Sequence, residues 1–177
     1  PKPSSAASDV YKRQELDWQY YSNNEFLNKL STTLSADAIN SNDYDAIYYA
    51  GGHGVMWDFP EDENLQSIAS KIHASGGVVS AVCHGAVALL NIKNAEGNYL
   101  IADTKVTGFA NTEEIAVGLD KVVPFLTEDE LVRRGANYVK GEDWAVFTVA
   151  DNRIVTGQNP ASGGAVAKEV IQLLKSM

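Results

Sequence analysis

The chain has 177 residues with 23 acidic and 14 basic side chains, and its formal net charge of -9 at pH 7 argues against nucleic acid or an anionic membrane surface as a partner. Hydrophobic residues at 45% and charged residues at 21% suit one globular domain, which at this length buries about 70% of its unfolded surface. A single cysteine excludes an internal disulfide, and no signal-like or membrane-length apolar run is read in the chain, so a cytoplasmic location without a membrane span is expected.

Residues 1–14 (PKPSSAASDVYKRQ) are polar, aperiodic and contain two prolines; they read as a non-native or disordered segment outside a single domain expected over 15–177. Glu25 to Leu34 predicts a short helix with Phe26, Leu27, Leu30 and Leu34 on one face, preceded by a packed lead-in of Leu16, Trp18, Tyr20 and Tyr21. Asp45 to Ala50 reads as a buried parallel strand ending in the glycine-rich loop Gly51-Gly52-His53-Gly54. Pro60 to Ser75 predicts a helix with Leu65, Ile68, Ala69 and Ile72 inward and Gly76-Gly77 as its stop. A second buried strand, Gly77 to Val82, then leads through Cys83 and His84 into a small-residue helix, Gly85 to Leu90.

After a polar connection over residues 91–104, Lys105 to Phe109 reads as a short strand, and Asn111-Thr112-Glu113-Glu114 as a capped helix start. Thr127 to Arg134 predicts a helix opened by a capping box, with Glu130 three residues after the cap. Ala136 to Val139, Ala145 to Ala150 and Arg153 to Thr156 read as strands, the last two joined by an Asp151-Asn152 hairpin turn. Asn159 to Ser162 is a turn, with Ser162 a helix cap, and Gly163 to Lys175 an amphipathic closing helix. This alternation predicts an α/β fold, a doubly wound and mostly parallel sheet with helices on both faces, whose working site lies at the carboxyl ends of the strands. The loops at Gly51 and Cys83 both follow strand ends.

A strand feeding straight into a helix forces a tight turn that lifts one side chain above the sheet and admits only small neighbours, here Ala81 and Gly85 around Cys83. The positive end of the following helix and the adjacent His84 favour the thiolate, so a depressed thiol pKa is expected. A free cysteine otherwise packs as a small core hydrophobe; the strand, the turn, the small flanks and the histidine together favour the reactive reading. His53 either contacts substrate or satisfies local backbone. Met56 and Trp57 either wall the pocket or join the core. Asn159-Pro160 shapes the loop beside the site, and His73 is placed on the surface. The three histidines and one cysteine are scattered rather than set at ligand spacings, so no metal is expected.

Ala50-Gly51-Gly52-His53-Gly54-Val55-Met56-Trp57-Asp58-Phe59-Pro60, Ala81-Val82-Cys83-His84-Gly85, Val106-Thr107-Gly108-Phe109 and Thr156-Gly157-Gln158-Asn159-Pro160-Ala161-Ser162 together resemble the ThiJ/PfpI superfamily, and within it the glyoxalase III and chaperone-like branch. The resemblance implies a flavodoxin-like fold and a cofactor-free conversion of methylglyoxal and related 2-oxoaldehydes to 2-hydroxy acids. Cys83 is then the nucleophile, His84 its partner and Glu114 the acidic third member, with Glu113 as rival. Gly52 and His84 would supply oxyanion N–H groups, while His53, Trp57 and Asn159 stand as substrate-side candidates. A homodimer is expected. The same branch suggests a holdase acting on unfolded proteins, and Cys83-His84 alone would also suit a peptidase-like hydrolase; an amidotransferase is disfavoured because no histidine follows His84. The family begins with a glutamate-bearing strand, a helix and a second strand that have no counterpart here, so the N-terminal strands are expected to be missing and the Asp45 to Ala50 strand to keep an unpaired edge.

Overall fold

The computed structural model describes residues 18–177, and the segment 1–14 lies outside them. The chain divides into two compact units, one ending at Ile39 and the other running Asn40–Met177, where a single unit from residue 15 was expected. In the first unit helix α1, Asn24–Ser31, is capped by Asn23, whose side-chain oxygen accepts the N–H groups of Glu25 and Phe26 at 2.9 and 3.3 Å. It is shorter than predicted, and none of its residues is buried. Trp18, Tyr20, Tyr21, Leu27, Leu30 and Leu34 are all exposed, so the lead-in is not packed as expected; Leu16 lies outside the described residues.

The second unit is built on four strands. β1 (Ala46–Tyr49), β2 (Val78–Val82) and β6 (Ile154–Gly157) run parallel, and β5 (Thr148–Asp151) lies antiparallel against β6, giving the spatial order β1-β2-β6-β5. All five residues of β2 are buried, as a central parallel strand requires. Its side chains alternate between two apolar layers. Val79 and Ala81 face a large core shared with Ala69 of α2 (Glu63–Ala74), while Val78 packs with Val155, Val166 and Val170, the last two from α5 (Gly163–Ser176). The fold is therefore doubly wound and mostly parallel, with helices on both faces.

Several local expectations shift. β3 (Lys105–Val106) pairs with β4 (Asn137–Tyr138) in a separate parallel ribbon instead of joining the main sheet. Two hydrogen bonds tie that ribbon down: the Lys105 N–H donates to the Asp151 carboxylate and the Thr107 N–H to the Thr156 hydroxyl, both at 2.8 Å. The β5–β6 hairpin turns at Asn152 and Arg153, one residue later than predicted, with φ of 49° and 59°. Arg153 is held there by its guanidinium, which donates to the carbonyls of His73 and Gly77. His73 is itself buried, its Nε2 against the Asn152 carbonyl at 2.8 Å, which corrects its expected surface position. Helix α4 (Thr127–Arg133) has Leu126 at its N-cap and no side-chain cap; Glu130 pairs with Arg133 and Arg134 instead of closing a capping box.

Candidate active site

β2 ends at Val82, and Cys83 follows with φ of 60°, a left-handed conformation that few non-glycine residues adopt. The seven residues Cys83–Leu89 then wind as a buried 3-10 helix, not the α-helix expected, and Gly85 is pressed onto the end of β1. A Cβ there would meet the Tyr49 carbonyl at 2.4 Å. The loop after β1 crosses in front of the cysteine. Gly52 holds φ of 120°, a backbone conformation reserved for glycine, and its N–H and that of His84 act on the Cys83 thiol to favour its ionised form.

His84 Nδ1 lies 3.4 Å from Cys83 Sγ, while its Nε2 lies 2.6 Å from Glu114 Oε2. An ionised carboxylate only accepts, so Nε2 carries the hydrogen and Nδ1 presents its lone pair to the thiol. Burial holds His84 below the ordinary histidine pKa, with the Glu114 hydrogen bond pulling the other way, so the ring is neutral at neutral pH. Cys83 moves opposite to the sequence expectation. Burial pushes its thiol up to about 11, helped by the Glu113 and Glu114 carboxylates, against the lowering effect of the two backbone N–H groups. Among the described residues no cation offsets the desolvation, and a short 3-10 turn supplies less dipole than the α-helix assumed.

Glu114 sits on α3 (Asn111–Val117), and its other oxygen, Oε1, is 2.8 Å from His53 Nε2. Glu113, equally buried, turns away. It accepts the N–H groups of Ala110 and Trp144 at 3.1 and 2.7 Å and the Asn159 amide at 2.9 Å. The pocket before the sulfur has a volume of about 430 Å³, with Gly52, His53 and His84 at one side and Phe109, Val117 and Trp144 as its apolar wall. A larger, more polar cleft of about 910 Å³, bordered by His73, Lys93 and Arg153, lies at the opposite ends of the strands and holds none of the predicted site residues.

The DJ-1/PfpI family model matches residues 17–173. The chain belongs to this family. Among its relatives, glyoxalase 3 of Candida albicans is 39% identical over 84% of this chain and 66% of its own length. The glutathione-independent glyoxalase HSP31 of Saccharomyces cerevisiae is 33% identical over 97% of this chain and 75% of its own. The crystal structure of glyoxalase III from Candida albicans superposes with a TM-score of 0.83 at 38% identity, covering 89% of this chain and 69% of that one. The chain thus spans about two thirds to three quarters of these DJ-1/PfpI relatives.

Within this DJ-1/PfpI site the structure brings together Gly52, His53, Cys83, His84 and Glu114. It does not bring in Asn159, which is fully buried with its amide spent on Glu113 and the Ala145 carbonyl and its oxygen on Ala161 and Ser162. Nor does Trp57 reach the pocket; it is 56% exposed, whereas its neighbour Met56 is core. Trp144 supplies the aromatic wall instead, its ring 5.9 Å from that of Phe109, which in turn lies 4.2 Å from the His84 ring. Trp144 stands between the polar run Lys140–Asp143 and the predicted Ala145–Ala150 strand, so no periodicity marks it as a pocket residue.

Proposed function

We propose that this chain is a glutathione-independent glyoxalase that converts methylglyoxal and similar 2-oxoaldehydes to 2-hydroxy acids without a cofactor. Cys83 acts as nucleophile, His84 as proton carrier and Glu114 as the group that fixes the imidazole. The observation that supports this best is the relay itself, a neutral imidazole whose free Nδ1 stands 3.4 Å from the thiol while its N–H donates to a buried carboxylate.

As the sulfur bonds to the aldehyde carbon, the thiol proton passes to His84 Nδ1 and the carbonyl electron pair to its oxygen, which takes over the Gly52 and His84 N–H groups from the sulfur. The imidazolium then protonates that oxygen, giving a hemithioacetal. Neutral His84 next takes the hydrogen from the former aldehyde carbon, and a proton is returned at the neighbouring carbon, so the first carbon is oxidised and the second reduced. The resulting thioester of a 2-hydroxy acid is cleaved by water, which releases the acid and restores the thiol. Substrate plus one water gives product, so no external oxidant or cosubstrate is needed.

Incubation with methylglyoxal in the absence of glutathione should yield lactate, and Cys83→Ala should abolish it. Lactate formation unchanged in Cys83→Ala would sink the proposal. A second reading is holdase activity toward unfolded proteins, supported by the exposed apolar face of Leu27, Leu30 and Leu34. It predicts that Cys83→Ala still suppresses client aggregation. The working form in either case is taken to be a cytoplasmic homodimer, which sedimentation and fractionation would test.

A further inference from the structure

Two imidazoles converge on one carboxylate, and the relay uses only one of them. His53 Nε2 and His84 Nε2 lie 2.8 and 2.6 Å from the two oxygens of Glu114, with the ring centroids 4.0 Å apart. We propose that His53, His84 and Glu114 form a binding site for a divalent zinc-type ion, and that its occupancy switches the Cys83–His84 pair off. The second half rests on the reading of Cys83 and His84 given above; the first does not.

Each of the three residues offers one ligand atom, and these atoms all lie within 4.8 Å of one another. Around a tetrahedral zinc, with bonds of about 2.0–2.2 Å, ligand atoms stand roughly 3.4 Å apart. The contacts to the two Glu114 oxygens therefore need to open by less than about 1 Å, and the widest pair, within 4.8 Å, to close by no more than about 1.4 Å, to admit the ion. His84 and Glu114 are 1% and 2% exposed, so two ligands are held rigidly, while His53 at 36% provides the movable third. Both histidines line the pocket, which gives the ion an entry path and leaves room for water to complete its shell. Imidazole with carboxylate suits zinc, copper or nickel better than magnesium, which prefers an all-oxygen shell. Glu113, buried beside Glu114, adds negative charge that helps balance a dication.

Coordination through Nε2 reverses the tautomer of each ring. The hydrogen moves to Nδ1, and no net proton is lost. At His84 that places an N–H where the lone pair faced the sulfur, so the ring no longer accepts the thiol proton. Cys83 is not a ligand, because it stands on the opposite side of the His84 ring.

The test titrates zinc into the full chain in competition with a chromophoric chelator. One ion per chain is expected, weakened at least about tenfold in His53→Ala and in Glu114→Gln. Cys83→Ala and His73→Ala should bind as the parent does, and millimolar magnesium should not compete. Zinc should raise the melting temperature of the parent but not of His53→Ala, a readout that also confirms the variant folds. Added zinc should lower methylglyoxal turnover, with recovery on chelation; if the chain shows no turnover at all, the change at His84 is read from iodoacetamide alkylation of Cys83, whose midpoint should move to lower pH because the Nδ1–H and the dication both favour the thiolate. Absence of binding, its loss in Cys83→Ala or His73→Ala, or saturation with neither turnover nor alkylation affected would overturn the proposal.

Discussion

At the scale of single residues, Cys83 and His84 stand at neutral pH as a neutral thiol and imidazole and not as a pre-formed thiolate pair. Cys83 lies in a buried turn with carboxylates nearby and, among the described residues, no cation to offset them, and its pKa is pushed up to about 11. The rate of iodoacetamide alkylation should therefore rise with a midpoint well above the free-thiol value of about 8.5. A midpoint at or below that value would show that the backbone N–H groups outweigh burial. His84 works in the other direction. With its pKa held below the ordinary value of about 6.5, it remains an unprotonated base as pH falls through 6.5, so the acid limb of kcat/KM should lie below that pH. The two adjacent glutamates divide their work by direction. Glu114→Gln should lower turnover by about 10²-fold or more with little loss of stability, since it disturbs the imidazole's tautomer. Glu113→Gln places an amide N–H against donors that a carboxylate accepted, and should instead cost about 1–3 kcal/mol of stability in urea unfolding. Reversed effects would exchange the two roles.

The elements matter to function through how closely two loops approach. The 3-10 turn Cys83–Leu89 and the end of β1 touch backbone to backbone, with room for a hydrogen but not a methyl at Gly85. Gly85→Ala should force β1 away from the turn and cost about 1–3 kcal/mol, as overpacking in a dense core does. The same displacement moves the Gly52 N–H away from the sulfur, so activity should fall by more than stability alone explains. Thermal unfolding alongside methylglyoxal turnover checks this; a variant with normal activity and unchanged melting would mean that the two loops are not mechanically coupled.

For the whole molecule, stability is concentrated in the Asn40–Met177 unit. Ile101 is fully buried in its main core, and Ile101→Ala should cost about 2–5 kcal/mol through lost burial and the cavity left behind. Leu30 on α1 is 47% exposed, and Leu30→Ser should change stability by no more than about 0.5 kcal/mol. Denaturant titration of both variants tests the contrast. A large effect at Leu30 would mean that the apolar face of α1 is covered in solution.

Sequence alone determined the alternation of strands and helices, the tight turn that presents Cys83, the glycine-rich loop after β1 and the four motifs that carry the family resemblance. These follow from local rules, because strand burial, small flanking residues and backbone sterics are written into neighbouring positions. What the tertiary structure decided depends on partners distant in sequence. Glu114 and not Glu113 meets His84 across 30 residues, and His53 reaches the same carboxylate across 61. Asn159 is drawn into the interior by Glu113 across 46 residues, while Trp57 faces solvent and Trp144 takes the pocket wall. The direction of the Cys83 shift belongs to the same class, since desolvation and nearby carboxylates come from the packed environment and no local pattern encodes them.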